Sequence, residues 1–132
     1  MSSESVAAPG FESSAFFEYL YECLKEEMIR EIALGTIKAV IVVTLKNKEN
    51  KQETWVMDFK NKGTLVKVTD GKIPKGDVLL SLKDADFMKM AHGKSNGQKL
   101  FMAGKLKVKG NLMKATSIES LFKDVGPPPA KL

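Results

Sequence analysis

The sequence predicts an α+β domain, because its helix signals and its strand signals occupy separate stretches of chain. Three observations carry that assignment. Apolar residues recur every three or four positions through residues 14–34. Alternating or wholly apolar β-branched segments fill 36–82. Short capped helical patterns return after residue 84, with one more alternating strand among them. The resulting order is one helix, four strands, two helices, a fifth strand and a last helix, without internal repeats. A chain of 132 residues holds one domain, and folding should bury roughly two-thirds of the unfolded surface.

Taken in order, residues 1–10 are expected to be a mobile leader; they lack the basic and apolar regions of a secretory signal. The domain is expected over 11–125. Ser13 or Ser14 is a candidate N-cap for one long amphipathic helix from about Ser14 to Leu34, with Phe17, Leu20, Tyr21, Leu24 and Met28 on one face and Gly35 as its stop. Thr36–Leu45 is apolar on both faces, as a central strand is. Thr54–Phe59 alternates, with Trp55, Met57 and Phe59 on one side. Thr64–Val68 is a third strand with Val66 and Val68 sharing a face, and Val78–Leu82 is a fourth. Short turns between these runs predict hairpins, hence antiparallel pairing.

Asp84 can cap a short helix closed by Gly93, with Phe87, Met90 and Ala91 inward. Ser95-Asn96-Gly97-Gln98 has capping-box spacing for another helix, Gln98–Ala103. Lys105–Lys109 alternates Lys with Leu106 and Val108. Asn111 caps a final helix to about Phe122, and a Pro-rich tail occupies 126–132.

Composition bounds the chemistry. At 43% apolar and 28% charged residues, the chain is an ordinary globule, expected to be soluble and intracellular. Its longest apolar run, Ala39–Val43, falls far short of the ~20 residues of a membrane helix. Cys23 is the single cysteine, so no internal disulfide forms, and with one histidine it excludes zinc sites built on several Cys and His. The net charge of +5 is uneven: residues 1–35 hold seven acids against Lys25 and Arg30, and the remainder holds nineteen bases against nine acids. Because Arg30 is the only arginine, the excess suits a solvated lysine surface better than a nucleic-acid footprint.

No nucleophile-elbow, zinc-helix, phosphate-loop or dinucleotide motif is present, and no cofactor is expected. His92 sits at an expected helix C-terminus and Cys23 beside an apolar face. Asp84 is explained by capping and Asp86 by solvent. These residues assemble no catalytic group. Seven Met and seven Phe are many for this length, and Met88, Met90, Phe101, Met102 and Met113 crowd the last third. They serve either as adaptable core filler or as a deformable apolar cavity.

The residues Thr54-Trp55-Val56-Met57-Asp58-Phe59-Lys60, then Asp77–Leu82 with Asp84–Phe87, then Gly93-Lys94 and Phe101–Asn111 (FMAGKLKVKGN), resemble in order the conserved blocks of the sterol carrier protein-2 domain, the nonspecific lipid-transfer family. The likeness extends from about Phe11 to Phe122. It implies a five-stranded, mostly antiparallel sheet covered on one face by helices, with an apolar tunnel between for a fatty acid, fatty acyl-CoA, sterol or phospholipid. The positions it would place along the tunnel are Trp55, Met57, Phe87, Met88, Leu100, Phe101, Met102, Met113, Ile118 and Leu121. Gln98 has two readings, a cap and a hydrogen bond to the ligand's polar end. Two departures stand out. Ala103 replaces a frequent Gln, and the first helix, which in the family docks on anionic membranes, is acidic here. Lysines within 46–75 and 94–109 are the better candidates for that contact. Lys94, Lys99 and Lys105 could also meet coenzyme A phosphates.

Ala130-Lys131-Leu132 is a variant of the S-K-L peroxisomal address. The chain is therefore expected to be a non-catalytic lipid carrier, taken by the import receptor into the peroxisomal matrix, with the cytoplasm a second location. The alternative is an accessory protein docking on β-oxidation enzymes. Transient contact with membranes and with those enzymes is expected, and none with nucleic acid.

Overall fold

The computed structural model describes residues 3–125. The tail, including Ala130, Lys131 and Leu132, lies outside the described residues. β-Branched and apolar runs form five strands: β1 (Val40–Lys46), β2 (Gln52–Asp58), β3 (Thr64–Lys67), β4 (Val78–Lys83) and β5 (Lys107–Gly110). They lie in the order β3-β2-β1-β4-β5. Five helices pack with them: α1 (Ser14–Cys23), α2 (Glu27–Thr36), α3 (Asp84–Ala91), α4 (Gly97–Met102) and α5 (Leu112–Val125). The fold is α+β with a mostly antiparallel sheet, as the segregated pattern predicts.

The one parallel pair departs from the hairpin expectation. β4 lies beside β1 with Ile41 opposite Val78 and Leu45 opposite Leu82. Residues 68–77 carry the chain from the β3 edge back across the sheet, which two short turns could not do. The crossover closes where Asp77 N–H donates to the Val40 carbonyl (2.9 Å) and the Asp77 carboxylate accepts from Val40 N–H (2.8 Å). Glycine is required there: a Cβ on Gly76 would stand 2.8 Å from Val42 Cγ2 and 3.0 Å from the Val40 carbonyl oxygen.

The long first helix is broken. Its apolar stripe continues through Met28 in sequence, yet the chain turns at Leu24–Glu26 and Met28 is 71% exposed. Arg30 explains the stability of the break: its guanidinium Nη1 donates to the freed carbonyls of Leu24 (3.0 Å) and Lys25 (2.8 Å). The second half then packs against α5. It ends after Thr36 at Lys38 (φ 55°), beyond the expected stop at Gly35, so β1 starts four residues later than its apolar run.

The leader is not free of the fold. Ser3–Val6 forms a 3-10 turn, and Val6 and Ala8 are buried in the same core as the sheet and helices. At the α1 start neither serine caps as expected. Ser13 precedes the helix without a side-chain bond, while Ser14 Oγ accepts from Ala8 N–H (2.9 Å). The acceptor for the helix entrance is Asp84, the first residue of α3, whose carboxylate takes Glu12 N–H (2.6 Å) and Ser13 N–H (3.0 Å). Asp86, expected in solvent, is buried near Lys89.

Candidate functional site

Alternation along the strands sets the site's floor. Ile41, Val43 and Leu45 on β1, Trp55 and Met57 on β2, Leu65 on β3 and Leu80 on β4 share one apolar cluster with Phe16, Phe17, Leu20, Phe87, Ile118 and Leu121 from the helices. Within this layer, aromatic rings touch in series. Phe11 meets Trp55 edge-on at 5.8 Å, Trp55 stacks on Phe17 at 4.2 Å, and Phe17 stacks on Phe87 at 5.2 Å. Phe87 meets Phe122 at 5.8 Å, and Phe16 closes the group against Phe122 at 4.9 Å. The rings occupy the space between Trp55 and Phe122 where a tunnel is expected, so a ligand entering there must displace them.

At the Phe122 end the layer reaches a cleft of about 660 Å³ between the α3–α4 connection and α5. Met90 and Phe122 are its apolar floor; Gln98, His92, Glu119 and Lys123 stand among its polar lining. The volume falls within the range of small-molecule sites. Capping does not occupy Gln98, because Asn96 is the α4 cap, its Oδ1 accepting Lys99 N–H at 2.8 Å. Glu119 on α5 accepts from Gly97 N–H (3.1 Å), tying α5 to α4. Partial burial pushes the Glu119 pKa up, against the opposing pull of that bond and of Lys123. Two further bonds hold α5: Tyr19 O–H donates to the Val125 carbonyl (2.8 Å) and Lys114 Nζ to the Ile37 carbonyl (3.0 Å).

The expected tunnel positions divide. Trp55, Met57, Phe87, Leu100, Ile118 and Leu121 are buried in the layer, and Met88 is half-buried against it. Phe101, Met102 and Met113 face solvent instead, with 44%, 79% and 79% of their surface exposed. The reason is local: α4 has only six residues and spends its inward face on Gly97 and Leu100, and Met113 lies in the exposed first turn of α5. Phe16, Phe11 and Phe122 are not among the expected lining residues, yet all three are buried in the layer. Phe16 is concealed in the sequence because two adjacent Phe residues point into one layer, whereas the three- and four-residue spacing of the helix picks out only Phe17 of the two.

The catalytic candidates stay dispersed. His92 is exposed at the α3 C-cap. Burial is the main cause that pushes the Cys23 thiol up, with neighbouring Glu26 and Glu22 adding to it. Among the described residues no group of three His, Cys, Asp or Glu could hold a metal, and no helix is long and apolar enough to cross a membrane.

Fold and site define a small α+β protein that keeps an aromatic-rich apolar layer behind a polar-rimmed cleft. The chain belongs to the SCP-2 sterol transfer family, whose model matches residues 19–123. It is 58% identical over 125 residues to an oleate-induced peroxisomal protein of Candida maltosa, covering 95% of this chain and 98% of that one. A fatty acid-binding protein of Yarrowia lipolytica is 43% identical over 125 residues, covering 91% and 95%. Among solved structures, the apo form of sterol carrier protein 2 from Yarrowia lipolytica matches with a TM-score of 0.81 at 39% identity, over 92% of this chain and 97% of that one.

Proposed function

We propose that this protein is a non-catalytic carrier that binds long-chain fatty acids and fatty acyl-CoAs, and by extension sterols or phospholipids, and transfers them in the peroxisomal matrix. The observation that carries the reading is the apolar layer running from the Phe122 floor of the cleft to Trp55. Hydrocarbon gains roughly 0.8 kcal/mol per methylene buried there. The names of the Candida and Yarrowia relatives support both the ligand class and the compartment. Gln98 in the cleft offers a hydrogen bond to the polar end of an acyl-CoA, and Lys94, Lys99 and Lys105, all exposed, are the candidates for its coenzyme A phosphates. Entry requires α5 to loosen as a lid.

The test is titration with a fluorescent long-chain fatty acid, followed by displacement with acyl-CoA. Saturable binding at micromolar concentration or tighter is expected, and a flat titration refutes the reading. Phe122→Asp should weaken binding at least tenfold, whereas Met102→Asp, on the surface, should leave it within twofold. A second reading, an accessory protein docking on β-oxidation enzymes, is favoured by Lys105, Lys107 and Lys109, exposed and without an ion-pair partner among the described residues. It predicts capture of an enzyme that is sensitive to salt and indifferent to bound lipid.

A further inference from the structure

Away from the cleft, the ring series reaches Trp55 and Phe11, and there the layer contains two donors. Trp55 and Lys67 are direct partners across β2 and β3. Lys67 shares the helix-side face with Leu65, two residues earlier, so a lysine points where the strand pattern calls for an apolar residue. Both donors are spent on the strap of residues 5–11. Trp55 Nε1 donates to the Val6 carbonyl at 2.9 Å, and Lys67 Nζ donates to the Ala7 carbonyl at 2.7 Å. Glu53 stands 3.5 Å from the same ammonium. Alongside those carbonyls, Val6 and Ala8 insert apolar side chains that are 0% and 1% exposed, and Phe11 lies against the Trp55 ring.

The arrangement has the parts of a bound acyl ligand: two adjacent acceptor oxygens on an indole N–H and an ammonium, and apolar groups continuing into the ring series. We propose that Trp55 and Lys67 form the head-group site for the carboxylate of a long-chain fatty acid, and that the strap is an internal stand-in which the ligand displaces. The proposal rests on the carrier reading and adds the orientation of the free acid, with its carboxylate at Trp55, opposite to that of an acyl-CoA whose polar end lies at the cleft. The indole N–H and the ammonium are donors only and match an acceptor-only anion, for which the partly exposed Glu53 carboxylate, 3.5 Å from the ammonium, must turn aside. An occupant lacking acceptors would leave the buried indole N–H unpaired, so displacement of the strap selects for the head group.

The chain has one tryptophan, so its fluorescence reports this end of the layer alone. The experiment compares hexadecanoic acid brominated next to the carboxyl group with the acid brominated at its terminal carbon, at equal occupancy set by displacement of a fluorescent fatty acid. The carboxyl-end bromine is expected to quench Trp55 at least threefold more strongly. Equal or reversed quenching overturns the proposal and leaves the carrier reading intact, whereas absence of binding by both acids overturns both. In the full chain, Lys67→Met should weaken the acid about tenfold and its methyl ester less than twofold. Equal losses for acid and ester would also overturn the head-group assignment.

Discussion

At the scale of single residues, the entrance to α1 shows how position decides the value of a polar group. Ser13 is fully buried and its Oγ is the one buried side-chain polar atom without a partner among the described residues. Asp84, also buried, satisfies two backbone N–H groups of the segment before α1 from across the fold. Removing an unpaired buried hydroxyl relieves a desolvation cost, whereas removing a shared buried acceptor orphans its donors. Ser13→Ala should therefore be neutral or stabilising by up to about 1 kcal/mol, and Asp84→Ala should cost about 2–3 kcal/mol. Urea denaturation midpoints decide the matter; a larger loss for Ser13→Ala than for Asp84→Ala would contradict the assignment.

At the scale of elements, the tie of α5 to α4 through Glu119 depends on pH. A carboxyl whose folded pKa is raised is favoured in its protonated form by the fold. Its stabilising contribution is present below the unfolded carboxylate range and is lost as pH rises through the raised value. At neutral pH the charge on Glu119 is a net cost. Glu119→Gln keeps an acceptor for Gly97 N–H, so it should raise the melting temperature at pH 7 while changing it little at pH 4. Taking the difference from wild type cancels other carboxylates, including Asp77, whose pKa is lowered chiefly by its bond from Val40 N–H. An unchanged or lowered melting temperature at pH 7 would overturn this account. Elements were also where the sequence was most and least legible. Strand alternation around Trp55 and Met57 and the Asn111 cap were local signals and are found in place. The break before Glu27 was not legible, because no Gly or Pro marks it and the carbonyls it frees are recovered by Arg30 several residues on. The β1–β4 pairing was hidden for a similar reason: partnership between strands more than thirty residues apart leaves no local trace.

At the scale of the whole molecule, the uneven charge of the sequence becomes a polarity of surface. The acidic residues Glu22, Glu26, Glu27 and Glu31 lie exposed along α1, α2 and the turn between them, while Lys99, Lys105, Lys107 and Lys109 are exposed on α4, β5 and the turn between those. The interior of the site was legible wherever burial follows strand or helix period. Phe101 and Met102 were assigned inward because an apolar cluster carries no sign of which side it faces. Exposed in the same short stretch of chain as Lys99 and Lys105, they give the α4 segment apolar side chains together with cations, the combination a bilayer contact uses. Transfer of a fluorescent fatty acid to vesicles containing phosphatidylserine should accordingly be faster than to neutral phosphatidylcholine vesicles. The difference should vanish near 0.5 M salt, where the screening length shrinks to about 4 Å. Replacing Phe101 and Met102 together by Ser should slow transfer to anionic vesicles at least threefold while leaving equilibrium affinity for the fatty acid unchanged. A parallel loss of affinity would return those two side chains to the interior, and equal rates on both vesicle types would remove the lysine face from the transfer step.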